Sequence, residues 1–416
     1  MKKIAVIGAG ITGVTTAYAL AKRGYGVTVF DGNRYPAMET SFANGGQLSA
    51  SNAEVWNSWS TVVRGISWML KTDAPFLLNP KPNWHKYSWL AEFVGNIGKY
   101  RSNTVETVRL ALKARTIMKR IADEERIGFD HVSRGILHIY RDKPSFERAG
   151  RVNKLLTEGG LDRRSVGPSE IQQIEPAVIG EFYGGFFTAS DSTGDIHKFT
   201  RGLALACISR GVTFSQGALV QRVGTDRDLT VHWRTEPTSS STRSERFDGV
   251  VICAGVGSRH LASTLGDRVN VYPVKGYSIT VHLDDDASRA AAPWVSLLDD
   301  QAKIVTSRLG ADRFRVAGTA ELNGENRDIR ADRISPLVNW TRTHFPTVET
   351  DRVTQWSGLR PMMPSMLPKV GVGRDHRVFY NTGHGHLGWT LSAATAEMIA
   401  ATIEGADHAA RTASAA

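Results

Sequence analysis

Cysteine is the residue that this sequence most clearly lacks. Only Cys207 and Cys253 occur in 416 residues. Two distant cysteines exclude a disulfide framework and a C-x-x-C metal or redox motif. This usage is typical of a protein that works in a reducing cytoplasm.

Long hydrophobic runs are also missing. No apolar run approaches the ~18 residues that a membrane-spanning helix needs. The start, "MKKIAVIGAG", has two lysines before apolar residues, but the apolar part is short and interrupted by glycine. It therefore predicts a strand and not a signal peptide. Hydrophobic residues at 41% and charged residues at 22% are ordinary globular values, so we expect a cytoplasmic fold of two to three domains.

Basic residues are in excess but never form a block. Lys and Arg number 51 against 41 Asp and Glu, which gives a net charge of +10. No run of five basic residues and no nucleic-acid-binding module occurs, so we expect no nucleic acid partner. The surplus leaves two classes of partner, namely anionic small molecules and an anionic membrane surface.

The first of two glycine motifs is "IGAGITG". Gly8, Gly10 and Gly13 stand between the strand "KIAVI" and a helix, and Asp31 ends the following strand "YGVTVFD". This context predicts a dinucleotide site, in which Gly8 allows a tight turn and Gly10 lets a pyrophosphate approach the helix. Gly13 allows close packing, and Asp31 accepts hydrogen bonds from a ribose.

The second motif, "NTGHGHLGWT", repeats the spacing with Gly383, Gly385 and Gly388. No strand follows its helix, so it cannot complete a second mononucleotide unit. A helix N-terminus here would instead stabilise the negative charge of a reduced flavin. His384 and His386 lack a third ligand nearby, so we expect no metal.

Five stretches in order resemble one family. They are "IGAGITG", "ETSFANGGQLS", "VYPVKGYSIT", "WSGLRPMMPSMLPKVG" and "NTGHGHLGWT". Together they resemble the bacterial FAD-dependent D-amino acid dehydrogenases, in the superfamily of D-amino acid oxidase and glycine oxidase. The resemblance runs from residue 1 to about 404.

This resemblance implies an α/β fold, with a Rossmann-type FAD-binding domain interleaved with an α+β substrate domain on a largely antiparallel sheet. The expected FAD-binding segments are 1–55, 145–270 and 355–416. The expected substrate-binding segments are 56–144 and 271–354.

The resemblance also implies which residues bind a non-covalent FAD. Asp31 would hold the adenosine ribose, and Val220 would contact the adenine side. Thr40 and Ser41 would lie near the pyrophosphate. The residues next to the isoalloxazine would be Gly45, Gly46, Gln47, Gly385, His386, Leu387, Gly388 and Trp389. Both glycine motifs would then serve one FAD, and Cys253 would only pack.

Arg360, in "SGLRP", matches the arginine that binds the substrate carboxylate in this family. A guanidinium in an apolar stretch can hold a carboxylate bidentately, although it could also form a structural salt bridge. Tyr277 and Arg308 are further candidates for the substrate pocket, with sheet packing as the alternative.

The segment 56–89 contains five of the ten tryptophans. We favour a role as core and pocket lid. The alternative is a membrane-binding patch, in which aromatic rings and basic residues lie together at an anionic surface. The aromatic residues are Trp56, Trp59, Trp68, Phe76, Trp84, Tyr87 and Trp89, and the basic ones are Arg64, Lys71, Lys81 and Lys86.

The sequence therefore predicts an FAD-dependent D-amino acid dehydrogenase that passes electrons to a quinone or another electron-transfer partner. It would lie in the cytoplasm, and a peripheral position on the inner face of the cell membrane is the alternative. Alternatives are a cis-4-hydroxy-D-proline or D-proline dehydrogenase and a glycine or sarcosine oxidase. From other classes, a flavin-carrying subunit of a complex and a nicotinamide enzyme stay open.

Overall fold

The computed structural model describes residues 1–68, 76–235 and 241–415, with only the backbone for 66–68 and 410–415. The helices are α1 (Ile11–Ala21), α2 (Trp59–Trp68), α3 (Trp84–Gly95), α4 (Tyr100–Glu124), α5 (Lys143–Glu158), α6 (Pro168–Ile174), α7 (Ile196–Ser209), α8 (Ser258–Thr264), α9 (Asp286–Ala291), α10 (Ala331–His344) and α11 (Gly388–Ala415).

The strands alternate with these helices along the chain. They are β1 (Lys3–Ile7), β2 (Gly26–Asp31), β3 (Gln47–Leu48), β4 (Phe76–Leu78), β5 (Ile136–Tyr140), β6 (Arg164–Val166), β7 (Gly184–Thr188), β8 (Ser192–Thr193), β9 (Thr213–Gln216), β10 (Leu219–Gly224), β11 (Leu229–Arg234), β12 (Arg243–Phe247), β13 (Gly249–Ile252), β14 (Tyr272–His282), β15 (Ser296–Asp299), β16 (Ile304–Arg308), β17 (Arg313–Leu322), β18 (Val353–Met362), β19 (Lys369–Val372) and β20 (Val378–Thr382).

A six-stranded sheet contains the N-terminal strand. Its order is β19-β20-β13-β1-β2-β9, and every pair is parallel except β19 with β20. Residues 4–7 of β1 are buried, as expected of a parallel strand covered on both faces. Helices α1, α7 and α11 pack together on this sheet. The predicted strand, turn, helix and strand are therefore confirmed.

A second, nine-stranded sheet of mixed direction forms the other layer. Its order is β18-β14-β17-β16-β15-β5-β7-β6, and β4 pairs with β17. Strands β18, β14, β17, β16 and β15 are mutually antiparallel neighbours. The α/β class with a largely antiparallel second sheet is confirmed. The strands β10, β11 and β12 form a separate antiparallel sheet.

Sheet membership differs from the predicted domain limits in two places. Strands β6 and β7 lie within the segment 145–270, yet they extend the nine-stranded sheet because β7 pairs with β5. Strand β18 crosses the predicted limit at 355 because its full length pairs with β14. The domain limits elsewhere stay predictions.

Candidate functional site

A cavity of about 1390 Å³ lies between the two large sheets. Residues from β1, β2 and β20 line one side, and residues from β14, β17 and β18 line the other. Typical small-molecule pockets occupy ~300–1,000 Å³. The cavity is therefore large enough for a dinucleotide together with a substrate.

The first glycine turn opens onto this cavity at Gly10. A Cβ on Gly8, which has φ 107°, would lie 2.6 Å from the Cys253 carbonyl oxygen, and one on Gly13 would lie 1.8 Å from the Gly8 carbonyl oxygen. A Cβ on Gly10 would meet only Ser41 Oγ, at 3.4 Å. Gly8 and Gly13 are thus required by protein packing, while Gly10 leaves space for a ligand at the start of α1.

Asp31 and Ser41 lie beside this turn and also line the cavity. The Asp31 carboxylate accepts hydrogen bonds from the backbone N–H of Ala9 at 2.6 Å and of Asn33 at 2.7 Å. Burial raises the pKa of Asp31, although these hydrogen bonds oppose the shift. Ser41 Oγ accepts from the Ile11 N–H at 3.0 Å. Both side chains are therefore held in place at the end of β1.

The loop that contains Thr40, Gly45, Gly46 and Gln47 lines the cavity and is clamped by the nine-stranded sheet. Side chains from that sheet donate to three successive carbonyls of the loop. The bonds are Ser278 Oγ to Ala43 O at 2.7 Å, Arg315 Nη1 to Asn44 O at 2.8 Å and Ser307 Oγ to Gly45 O at 2.7 Å. Gln47 Nε2 donates to Ser296 Oγ at 2.8 Å. This clamp could not be predicted from the sequence because its donors are distant in sequence from the loop.

The second glycine turn packs against the end of β18. A Cβ on Gly383 would lie 2.4 Å from Met363 Cγ, and one on Gly385 would lie 2.7 Å from Met362 Sδ. Both glycines have positive φ, 77° and 60°. The glycines therefore bring β18, which carries Arg360, against the N-terminus of α11. Gly385, Leu387, Gly388 and Trp389 all line the cavity, as Val220 does at its other end.

The two histidines of this turn have different partners. His384 Nε2 lies 2.9 Å from Thr395 Oγ1, and burial lowers the pKa of His384 to about 3. His386 Nε2 lies 3.2 Å from the Asn52 carbonyl oxygen. Because a carbonyl only accepts, Nε2 of His386 carries the proton. Burial, aided by the Arg360 charge, lowers the pKa of His386 to about 4, so its ring is neutral at pH 7.

Four buried polar atoms of cavity-lining residues have no hydrogen-bond partner in the described part of the chain, and two of them belong to the second glycine turn. The other two are Arg163 Nε and Thr319 Oγ1. The two in the glycine turn are His386 Nδ1, an acceptor in this tautomer, and Trp389 Nε1, a donor. Buried polar groups are normally paired, and each orphan calls for an explanation. A polar ligand such as FAD, which carries both donors and acceptors, fits these residues.

Arg360 lines the cavity from β18. Its Nη1 donates to the Thr319 carbonyl oxygen at 3.3 Å, and no carboxylate forms an ion pair with it among the described residues. Burial alone lowers the pKa of Arg360 to about 10, so the guanidinium stays charged at pH 7. A buried charge normally has a counter-charge. The geometry therefore favours an anionic ligand over the structural salt bridge.

Tyr277 lines the same cavity from β14. Its hydroxyl donates to Glu321 Oε2 at 2.7 Å, and Lys275 Nζ lies 3.3 Å from the same oxygen. Burial, followed by the Glu321 carboxylate, raises the pKa of Tyr277. The phenol is therefore neutral. Its ring packs with residues of α10 in the core, on the face of β14 opposite to Ser278, whose hydroxyl reaches the cavity loop. This placement corrects the prediction that the Tyr277 side chain belongs to the substrate pocket. Glu321 was missed in the sequence because an isolated acidic residue in a strand gives no signal.

Arg308 is not brought to the cavity, which corrects the prediction that it belongs to the substrate pocket. Its guanidinium donates to the carbonyl oxygens of Gly310, Ala292, Arg289 and Ala311 at 2.6–3.1 Å. The side chain is 2% exposed. These four carbonyls use its donors, so Arg308 fastens two loops together.

The aromatic segment 56–89 divides between interior and surface. Trp56 stacks on His386 with ring centroids 4.7 Å apart, and Trp89 Nε1 donates to the Met362 carbonyl oxygen at 2.8 Å. Trp59 and Trp84 are instead 62% and 84% exposed. Lys86 is buried against backbone carbonyls. Lys71 and the Trp68 side chain lie outside the described residues.

The described residues contain neither a metal-binding cluster nor a membrane-spanning helix. The His, Cys, Asp and Glu residues among them form no group of three suited to a metal ion. None of the described helices is both long and apolar enough to cross a membrane.

A parallel sheet with a glycine turn, joined to a mixed sheet across one cavity, defines a dinucleotide-dependent oxidoreductase. The chain belongs to the family described as "FAD dependent oxidoreductase", whose model matches residues 3–402. FAD is therefore its cofactor.

Curated relatives match almost the whole chain. D-amino acid dehydrogenase 3 of Mesorhizobium japonicum is 63% identical over 403 residues, which are 97% of this chain and 97% of that protein. D-amino acid dehydrogenase of Paramagnetospirillum magneticum is 39% identical over 414 residues, covering 97% of this chain and 95% of the relative.

Solved structures share the fold at low sequence identity. Glycine oxidase from Geobacillus kaustophilus has a TM-score of 0.77 at 19% identity, and the match covers 97% of this chain and 95% of that one. L-proline dehydrogenase from P. horikoshii has a TM-score of 0.74 at 15% identity, with 97% and 93% covered. The architecture is thus common to oxidoreductases with different names.

Proposed function

We propose that the protein is an FAD-dependent D-amino acid dehydrogenase. The observation that carries this proposal is the buried Arg360 guanidinium, which lines the same cavity as the Gly10 turn and lacks a carboxylate partner among the described residues. An amino acid supplies that carboxylate. The 63% identity to a D-amino acid dehydrogenase over nearly the whole chain supports the D-amino acid as substrate.

We propose that FAD is held, without a covalent bond, by the residues predicted from the sequence. Asp31 and Val220 would bind the adenosine, and Gly10, Thr40 and Ser41 the pyrophosphate. The flavin would lie between the loop of Gly45, Gly46 and Gln47 and the turn from Gly385 to Trp389. Gly8 and Gly13 act indirectly, since both pack against the protein.

The side chains at the substrate end orient the amino acid and control its protonation. Arg360 pairs with the carboxylate, and a bidentate pair fixes the Cα position. Because this pair neutralises the carboxylate, the pKa of the substrate ammonium falls and the neutral amine becomes more populated. Trp89 and Met362, which lie together next to Arg360, exclude water.

FAD, when bound, accepts the hydride that leaves Cα. The amine nitrogen loses a proton, and the resulting imine of the substrate is hydrolysed to a 2-oxo acid and ammonia. The protein residues need only hold the amine in its neutral form, so no side-chain base is required.

Neighbouring activities use the same chemistry and stay as alternatives. A cyclic secondary amine, such as D-proline or cis-4-hydroxy-D-proline, presents the same carboxylate and Cα hydrogen, and so does glycine or sarcosine. The fold shared with a glycine oxidase and an L-proline dehydrogenase is compatible with each. As a non-enzyme alternative, the chain could carry flavin within a complex. Anaerobic bleaching of the flavin absorbance by a panel of D-, L- and cyclic amino acids separates these cases.

We further propose that the electrons pass to a quinone or another electron-transfer partner at the inner face of the cell membrane. The exposed rings of Trp59 and Trp84, which belong to the same segment 56–89 as the cavity residue Trp56, and the net charge of +10 support this location. The protein would then be a peripheral one.

Replacement of Arg360 tests the carboxylate anchor. A hydrogen bond to a charged group contributes ~1.5–3 kcal/mol, and each ~1.4 kcal/mol is a factor of ten. We therefore expect Arg360→Leu to lower kcat/KM for the best D-amino acid by at least ~10- to 100-fold. Arg360→Lys should recover only part of the lost kcat/KM, because an ammonium group lacks the planar, two-pronged geometry of a guanidinium.

The bound-flavin ratio is the control for folding. Arg360→Leu should stay yellow, because the FAD contacts lie elsewhere. A yellow Arg360→Leu protein with near wild-type kcat/KM would remove Arg360 from the site, and joint loss of flavin and stability would favour a structural arginine.

A further inference from the structure

Arg360 lies directly over a glycine of the neighbouring strand. In the pairing of β14 with β18, Val274 faces Arg360 and Gly276 faces Gly358. A Cβ built on Gly276 would lie 2.3 Å from both Cζ and Nη2 of Arg360 and 2.5 Å from Nη1. All three distances are far below van der Waals contact. The guanidinium therefore occupies the space that any other residue at position 276 would fill.

The backbone of Gly276 does not itself require glycine. Its φ is not among the positive values of the described residues. The need for glycine at this position comes from the close approach of the Arg360 side chain. A methyl group here would meet the far end of a flexible side chain, so it would displace the guanidinium before it displaced the sheet.

The other neighbour of Gly276 is an irregular part of β17. Lys275 pairs with Glu321 and Tyr277 with Gly318, so Gly276 faces two residues, Thr319 and Ala320. This is a β-bulge, a feature common next to active sites. Thr319 has φ 57°, a genuine outlier for a β-branched residue. Its carbonyl oxygen is the acceptor for Arg360 Nη1 at 3.3 Å.

We propose that Gly276 and the Thr319 carbonyl form a seat that positions the Arg360 guanidinium, with its remaining donors free for a carboxylate. Gly276 supplies the space and Thr319 fixes the direction. Both are positioning residues and not catalytic residues. The proposal rests on the proposed role of Arg360 as carboxylate anchor.

Gly276→Ala tests the seat with little risk to the fold. The added methyl group should displace the guanidinium, so we expect KM for the D-amino acid to rise by about 10-fold or more, equivalent to one lost charged hydrogen bond. The dissociation constant of propanoate, a carboxylate without an amine, should rise in parallel when followed by the flavin absorbance. The bound-flavin ratio and Tm should stay near wild type, and kcat should fall less than KM rises.

Gly358→Ala is the matched control on the facing strand. Its methyl group would lie 2.1 Å from the Trp356 ring and would displace that ring instead. The dissociation constant of propanoate should therefore change less than in Gly276→Ala. Equal changes of this dissociation constant in Gly276→Ala and Gly358→Ala would overturn the proposed seat, because they would indicate a general effect of added methyl groups on the sheet.

The double variant Gly276→Ala/Arg360→Leu tests whether Gly276 affects substrate binding through Arg360. Residues that act through one another give non-additive effects. We expect the double variant to match Arg360→Leu in kcat/KM. If the losses of kcat/KM in the two single variants were fully additive in the double variant, Gly276 would act without Arg360, and the proposed seat would be wrong.

Failures of the two proposals are distinguishable. If Arg360→Leu leaves kcat/KM near wild type, the carboxylate anchor fails and the seat loses its role. If Arg360→Leu lowers kcat/KM but Gly276→Ala leaves KM unchanged, only the seat fails. If Gly276→Ala lowers Tm and flavin content together with activity, its role is structural and the seat is also overturned.

Discussion

At the scale of single residues, the clearest mark of the site is a charged side chain that has no counter-charge among its neighbours. Arg360 and Arg308 are both arginines near β-strand ends, and both were candidates for the substrate pocket. Arg308 donates to four carbonyl oxygens, whereas Arg360 donates to one. Sequence alone could not separate them, because the difference lies in which loops fold back onto each guanidinium.

Gly10 carries a residue-scale prediction about the cofactor. It is the glycine of the first turn whose Cβ direction is open to the cavity. Gly10→Val would fill the space at the start of α1 where the pyrophosphate must pass, so we expect folded, colourless protein without FAD. Absorbance at the flavin band and a far-UV circular dichroism spectrum measure the two properties.

Gly24→Val, in the turn that follows α1, serves as the comparison for Gly10→Val at the start of the same helix. Nothing lies within 4 Å of a Cβ on Gly24, but its φ is 82°. This variant should lower Tm through backbone strain and keep its FAD. Full flavin content in Gly10→Val would contradict the assignment of this turn to the pyrophosphate.

At the scale of elements, the bulge in β17 stores strain beside the site. A residue in a sparsely populated region of φ and ψ costs ~1–3 kcal/mol, whereas glycine adopts φ 57° freely. Thr319→Gly should therefore keep or raise the free energy of unfolding. The backbone carbonyl of residue 319 stays available to Arg360 in this variant. Thermal unfolding of the FAD-bound protein is the measurement.

Thr280→Gly, in the regular part of β14, is the comparison for Thr319→Gly. Glycine in a regular strand costs roughly 0.5–1 kcal/mol, and Thr280 Oγ1 also accepts a hydrogen bond from Arg315. We expect Tm to fall in this variant. An equal fall in Thr319→Gly would show that the bulge is not strained.

The bulge in β17 is one of the features that could not be predicted from the sequence, whereas other parts of the fold could. The strand, glycine turn and helix of 3–21 could be predicted because each residue's role is local, as in the buried run of β1 and the turn at Gly8. The position of β7 in the nine-stranded sheet could not, since it depends on pairing with β5, more than 40 residues away. Thr319 gave no signal either, because threonine is an ordinary strand residue.

At the scale of the whole molecule, charge and exposed aromatic rings bear on where the protein works. The net charge is +10, and Trp59, Val63, Trp84 and Tyr87 are 47–84% exposed on α2 and α3. Aromatic and basic side chains are both favourable at an anionic bilayer surface. Trp56 and Trp89 of the same segment face inward, so a membrane contact here would lie next to the cavity.

Sedimentation with phosphatidylserine-containing vesicles tests this contact. We expect binding at low salt and release at high salt, because surface charges are screened within ~10 Å at 0.1 M ionic strength. The variant Trp59→Ala/Trp84→Ala should bind more weakly, since it loses the rings that enter the interface. Trp294→Ala, which removes a 38% exposed ring outside this segment, should bind as wild type does. Equal binding by all three proteins would assign the attraction to net charge alone, and no sedimentation at low salt would leave α2 and α3 as a cover for the cavity.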